Sequence, residues 1–428
     1  MPLSLSHLSL SPLSLAPSSL GQHAYDRLME LRGFSDHPDH LTRLFLSPAH
    51  RQAADAVSRM MMAAGCDTVD IDALGTVVGR YHGEGTDAPA LLIGSHIDTV
   101  KDAGSYDGTL GVVAGIAVVE ALKQAGRRLP FAIEILAFGD EENVRFPSNL
   151  SSSRALAGTF DPATLNGVDE DGISFRQALL DFGGKPEAIG AIARDASKVI
   201  GYLEVHIEQG PVLQHENLPV GIVTAINGAS RRRVIVSGQA GHAGTVPMTL
   251  RQDALTAASE MVLAVERLGA KAPLTVATVG RLAVSPNAVN VIPGGVQFTL
   301  DMRGPDDSER IAMVQAIETE LRAIAARRKV ALDIAPFYDA PACPCSPSLQ
   351  AALTEAVARH QIKPLHLPSG AGHDAIAMAA LCPIGMLFVR CTDGISHNPA
   401  EFSSQDDINQ AIRILLDAVE HLALKHGS

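Results

Sequence analysis

Five side chains able to offer a nitrogen or oxygen to a metal ion stand just after apolar runs. They are His96 in GSHIDTV, Asp107 in GSYDGTLG, Glu142 in GDEENVRF, His206 in YLEVHIEQG and His397 in GISHNPAEF. Three imidazoles and two carboxylates suit two divalent ions, Zn²⁺ or Mn²⁺, bridged by one carboxylate. Such a pair, ~3.5–4 Å apart, can hold and deprotonate a bridging water, which is the chemistry of a hydrolase. Each signal also has a plain structural reading. A histidine at a strand end is usually just a satisfied polar residue, an aspartate before glycine is a turn former, and paired glutamates often solvate a helix face. GDEEN, however, follows FAIEILAF, which offers no helical surface to solvate. Adjacent residues leaving a strand point in different directions, so Glu142 can face a metal while Glu141 faces the attacking water. Spacing alone leaves the ligand reading and the plain reading both open.

The elements that must position these residues follow from periodicity. APALLIGS reads as a buried strand, and TLGVVAGIAVVEALKQAG as a helix with a stop at Gly126. His96, Asp98 and Asp107 therefore lie on a strand-to-helix loop, the edge of an open α/β sheet where ligands bind. Strands and helices alternate from about residue 25 to 220, which implies βαβ units and a mainly parallel sheet. From about residue 222 the texture changes to strand–helix–strand–strand–helix–strand, the ferredoxin-like order: RRRVIVSGQA, TLRQDALTAASEMVLAVERLG, PLTVATVGRLAV, GGVQFTLDMRG, SERIAMVQAIETELRAIAARR and the strand after it. After FYDAPACPCSP the α/β texture returns with PIGMLFVRCT. The expected fold class is α/β: a mixed, mainly parallel sheet with flanking helices, plus an inserted ferredoxin-like α+β domain. Residues 1–20 form an extension, 21–221 with 338–428 a discontinuous catalytic domain, and 222–337 the insertion.

Composition bounds the function. A chain of 428 residues exceeds one ordinary core, so two domains are expected. The net charge of −13 argues against nucleic acid or an anionic membrane as partner, although local arginines still admit an anionic small molecule. Five cysteines without a CxxC pair argue against a disulfide framework or thiolate zinc site and favour a reducing, cytoplasmic setting. No run approaches the ~20 apolar residues of a membrane span. The opening MPLSLSHLSLSPLSLAPSSL is rich in Leu, Ser and Pro and lacks the basic region of a secretory signal, so it reads as a poorly ordered extension. The glycines at 108, 111 and 115 miss the dinucleotide spacing, and no phosphate-loop motif follows a strand. Ser369 and His373 in SGAGHDA lack the nucleophile elbow of a serine hydrolase.

Six blocks in order, GSHIDTV…YDGTLG, DEENVRF, HIEQGPVL, GHAGTVPM, NVIPG…DMR and SGAGHDA…GISHNPAE, resemble the M20 metallopeptidase family. The resemblance covers residues 25 to 425 and is nearest to the hydantoinase/carbamoylase-type branch: N-carbamoyl-L-amino-acid hydrolases, allantoate amidohydrolases and β-ureidopropionases. It implies that His96 and His206 hold one ion, Glu142 and His397 the other, with Asp107 bridging. By the same resemblance Asp98 fixes the His96 ring, Glu141 is the general base, Gln209, Asn290 and Arg303 hold the substrate, and His242 stabilises the oxyanion. The implied metals are two Zn²⁺ or Mn²⁺ ions, with Co²⁺ or Ni²⁺ also compatible. The implied substrate is a small ureido acid, the implied assembly a homodimer in which His242 reaches its partner's metals, and the peptide bond after Asp107 is expected to be cis. An aminoacylase or peptidase acting on an amide is the alternative within the family; a non-catalytic binding module is the alternative outside it. Asn143 departs from the family's usual Gly, a change the left-handed tolerance of Asn accommodates.

Overall fold

The computed structural model describes residues 19–85 and 87–426. The expected extension thus lies almost wholly outside the described residues, and its last two positions already belong to a helix, Ser19–Arg32. The chain divides into two compact units; the second comprises Val223–Cys345 and Leu367–Gly372, and the first the remainder. The second unit therefore runs beyond residue 337, and the short return 367–372 joins it. There Asn227 N donates to Ser369 O and Arg303 Nη1 to Gly370 O, contacts between distant residues that no composition change announces.

In the first unit the sheet runs Thr68–Ile71, Val77–Tyr81, Ala132–Phe138, Ala90–His96, Val199–Ile207, Ile384–Val389, ending on the start of Val220–Ile226. The four inner strands, from Ala132–Phe138 to Ile384–Val389, are parallel neighbours, and those beyond them are antiparallel. Ala90–His96 and Ala132–Phe138 are buried at every residue, as continuous aliphatic runs in a covered parallel sheet should be. Helix Thr109–Gln124 is also buried almost throughout, because it packs on this sheet and on other helices. Helix Pro48–Ala64 is capped by Ser47, whose side chain accepts from His50 N, and ends at Gly65 with φ 106°. Buried Arg43 donates to the carbonyls of Leu31 and Ile97 and so ties an outer loop to the segment that follows His96.

The second unit contains a four-stranded antiparallel sheet in the spatial order Ala331–Ala340, Gly228–Ser237, Gly295–Gly304, Val276–Ser285. Helices Ala254–Gly269 and Asp307–Arg328 cover one face through a core that includes Val234, Phe298, Met261 and Leu321. Alternation leaves Arg231, Arg233, Thr299, Asp301 and Arg303 on the other face.

His50 makes acid stability a property of the first unit's core. Its ring is fully buried between Phe182 and Phe45, Nδ1 accepts from Leu46 N at 3.0 Å, and Nε2 has no hydrogen-bond partner. Burial, reinforced by the charges of Arg43 and Arg145, pushes its pKa from 6.5 down to about 3. The unfolded chain therefore binds the proton that the folded chain refuses. The contribution of neutral His50 is complete above pH ~6.5 and is lost as pH falls toward ~3, by about 1.4 kcal/mol per unit. Urea unfolding at pH 7.5 and 5.0 should show a loss of about 2 kcal/mol from this residue, and His50→Phe should flatten that difference. An equal pH difference in both proteins would exclude His50 as its source.

Among the described residues no helix is long and apolar enough to cross a membrane. None of the five cysteines is in a disulfide.

Candidate metal centre

The parallel strands run in one direction, so the segments leaving their C-terminal ends meet at one sheet edge. His96 is the last residue of Ala90–His96 and lies level with Phe138, the last of Ala132–Phe138, from which Asp140, Glu141 and Glu142 follow. His206 is level with Phe388, and His397 follows that strand after a short turn at Thr392–Gly394. Asp107 precedes helix Thr109–Gln124.

These donors form two groups that share one carboxylate: His96, Asp107 and His206, and Asp107, Glu142 and His397. Asp107 Oδ1 lies 3.5 Å from His96 Nε2 and 3.1 Å from His206 Nε2. Its Oδ2 lies 3.5 Å from His397 Nε2, which is itself 3.5 Å from Glu142 Oε2. One oxygen thus faces each group. Glu142 Oε1 is buried without a hydrogen-bond partner, a leftover acceptor that a cation would satisfy. Three imidazoles and two carboxylates on two adjoining triads fit a pair of borderline divalent cations well. Glu141 stands beside the groups, with Oε2 3.9 Å from His96 Nε2.

The electrostatics follow from crowding these charges in a buried place. Burial disfavours the Asp107 anion, yet the surrounding His206, His397 and His96 hold its pKa well below the carboxylate range. Burial works against protonated His96, but Asp107, Glu141 and Asp98 raise its pKa well above 6.5. His397 is raised to about 9, chiefly by its hydrogen bond to Asp107. Glu142 is pushed up by burial and by Asp107, and Glu141 to about 7 by burial, with Asp98 and Asp107 adding to it against the pull of His96. A carboxylate poised near neutrality can both take and return a proton.

The loops explain their own sequence. Gly108 takes φ 63°, and a β-carbon there would sit 2.3 Å from the His96 ring, so only glycine lets the turn pass the imidazole. The bond between Asp107 and Gly108 is trans, contrary to the expectation from the resemblance: the sole cis bond among the described residues is Ser285–Pro286, and the sharp turn is made by the left-handed glycine instead. Asn143 also adopts a left-handed backbone, φ 51°. Asp98 contacts the His96 ring through its backbone. Its backbone carbonyl, at 3.0 Å, is the hydrogen-bonding neighbour of His96 Nδ1, whereas its carboxylate is 3.6 Å away. That carboxylate accepts from the amides of Glu141 and Glu142 at 3.4 and 3.3 Å and so holds the next loop against this one.

Gln209, with φ 56°, donates from Nε2 to Asp107 Oδ2 at 2.7 Å, and its Oε1 is buried without a hydrogen-bond partner. His242, Asn290 and Arg303 belong to the second unit. His242 and Asn290 are exposed on adjoining segments, where Ala243 N donates to Asn290 O. Arg303 binds Asp301 with two parallel bonds of 2.9 Å, Nε to Oδ1 and Nη2 to Oδ2.

Sequence reasoning gave no role at this centre to several groups packed around the donors. His373 lies edge-on to His206 with ring centroids 4.5 Å apart, and buried Glu204 accepts from Ser95, Tyr202 and Ala375. Asp140 accepts from Ser148 and Ser151, with burial pushing its pKa to about 7. Glu401 accepts from the amides of Tyr106 and Asp107. Its only signal was an acidic residue four positions after His397 in HNPAE.

Residues 92–421 match peptidase family M20/M25/M40. The chain is 39% identical over 404 residues to an N-carbamoyl-L-amino acid amidohydrolase of Geobacillus stearothermophilus, covering 94% of this chain and 98% of that one. It is 41% identical over 434 residues to an allantoate deiminase of Arabidopsis thaliana, covering 94% of this chain and 82% of that one. The crystal structure of a hydantoinase/carbamoylase family amidase from Burkholderia multivorans superposes with a TM-score of 0.88 at 34% identity, covering 94% of this chain and 98% of that chain.

Proposed function

The chain belongs to peptidase family M20/M25/M40, and from that premise we propose that it is an amidohydrolase cleaving the ureido C–N bond of a linear N-carbamoyl acid. The substrate is an N-carbamoyl-L-amino acid or allantoate, and the products include ammonia and carbon dioxide. One observation carries the reading: two donor triads share Asp107, one oxygen to each, with Glu141 alongside.

In this reading His96 and His206 would hold one divalent ion and Glu142 and His397 the other, with Asp107 shared between them. Zn²⁺ or Mn²⁺, with Co²⁺ or Ni²⁺ also compatible, would supply Lewis acidity there for the ureido carbonyl and for water. Glu141 takes the proton of the attacking water and returns it to the departing nitrogen. Gln209 offers its unpartnered Oε1 to a ureido N–H. Arg303, oriented by Asp301, grips the neighbouring carboxylate, and Asn290 completes the hold on the substrate. His242 donates to the oxyanion. The second unit serves dimerisation: its sheet has two edge strands, Val276–Ser285 and Ala331–Ala340, and edge pairing with a second copy about a two-fold axis brings His242 to the partner's metals. The protein acts in the cytoplasm.

The test is a panel of allantoate, N-carbamoyl-L-amino acids, N-acetyl-amino acids and dipeptides offered to the protein loaded with Mn²⁺ or Zn²⁺. A site built to hydrogen-bond a ureido group should favour ureido acids by ~10²-fold or more in kcat/KM. Faster turnover of the acetylated amino acids or dipeptides would replace this reading with that of an aminoacylase or peptidase.

A further inference from the structure

We propose that Glu401 is the positioning residue for Asp107: it clamps the backbone that carries the shared carboxylate and thereby sets the metal affinity of the centre. The inference rests on the dimetal reading above and adds a part to it. Glu401 is 4% exposed, and Oε1 accepts from Tyr106 N at 2.8 Å and from Asp107 N at 3.1 Å. Its Oε2 lies 3.0 Å from Ser396 Oγ, and that hydroxyl is 2.7 Å from Asp107 Oδ2. A single side chain thus holds Asp107 directly at its amide, and the Ser396 hydroxyl, with one proton to donate, stands between the Glu401 and Asp107 carboxylates.

The surroundings keep this clamp in place. A β-carbon on Gly104 would lie 2.3 Å from Glu401 Cβ, Cδ and Oε1, so the loop is pressed against the Glu401 side chain along its length. Next to the clamp, the Tyr106 and Phe402 rings pack edge to face with centroids 6.0 Å apart. Asp107 must aim its two oxygens at different triads, and a bridging geometry tolerates little rotation about its backbone. A buried acceptor that fixes two successive amides restricts that rotation from the backbone side, beside the contacts that Gln209 and Ser396 make to the carboxylate. Outer hydrogen bonds of this kind typically change metal affinity 10–100-fold.

Reach and charge are separable. Glu401→Gln keeps an oxygen within reach of both amides and turns its NH₂ toward the Ser396 hydroxyl, which can accept. Glu401→Asp keeps the charge but withdraws the acceptor by one methylene. The metal-free full-length chain of each variant, and of Glu401→Ala, is titrated with Mn²⁺ alone, and amide hydrogen exchange is followed at Tyr106 and Asp107. The positioning role predicts that Mn²⁺ Kd rises ~10–100-fold in the Ala and Asp variants, with faster exchange at both amides, while the Gln variant stays close to wild type in both measurements. The Asp and Gln proteins carry the test where Glu401→Ala does not fold. Unchanged Kd and exchange in the Asp variant, or loss in Gln with retention in Asp, overturns the proposal. Asp107→Ala runs in parallel: if it loses Mn²⁺ while Glu401→Ala and Glu401→Asp keep it, only the clamp is wrong. If Asp107→Ala itself binds Mn²⁺ as wild type does, the dimetal reading falls and takes the clamp with it.

Discussion

Glu141→Gln is expected to lower kcat by ~10²–10⁴-fold on a ureido acid while the bound metal, two ions in the proposed reading, stays in place, the range associated with loss of a positioned general base. The amide has nearly the shape of the carboxylate, so the loop from Asp140 to Asn143, held by Asp98 through the amides of Glu141 and Glu142, has no reason to move. Glu141 belongs to neither donor triad, so the donor set is also untouched. What disappears is the group proposed to accept the water proton, a carboxyl whose pKa burial pushes up to about 7. Steady-state kinetics and metal analysis of the same preparation check the result. A variant with metals in place and near-normal kcat would remove Glu141 from the base role.

Asp107→Ala should do the opposite in order of cause. It removes the only carboxylate common to both triads, and leaves His96, His206 and His397 without the anion that holds them. Both ions are expected to be lost, and turnover should fall by ~10³-fold or more, since Lewis acidity is worth several kcal/mol of transition-state stabilisation. The discriminating measurement is metal content after dialysis. Wild-type occupancy of both ions would show that Asp107 is not the bridge; an empty protein that regains activity only at high Mn²⁺ would locate the defect in binding.

Much about this chain was legible without coordinates, and the reason is locality. His96 and His206 lie at the ends of apolar runs, Glu142 shortly after one, and Asp107 and His397 on the loops that follow, while the alternation of strand and helix implies that those runs are parallel. Parallel strands deliver the loops at their C-terminal ends to a common edge, so periodicity and chain direction allowed His96, Glu142 and His206 to converge, while the choice of them as ligands came from the family resemblance. The four-stranded order of the second unit is likewise written in its element sequence. The tertiary structure decided the features that depend on side-chain direction and on distant partners. The two oxygens of Asp107 divide between the triads because helix Thr109–Gln124 and the turn at Gly108 orient it, not because of any spacing in the chain. The carbonyl of Asp98, rather than its carboxylate, meets His96 because the carboxylate is drawn to two amides of another loop. Gln209 turns its amide onto Asp107 for a similar reason, a left-handed backbone that no residue type announces. Glu401 reaches the amides of Tyr106 and Asp107 from 295 and 294 residues away. A pattern of local periods carries no record of such a contact, since a buried acceptor and two loop amides are matched only when the chain has closed around them.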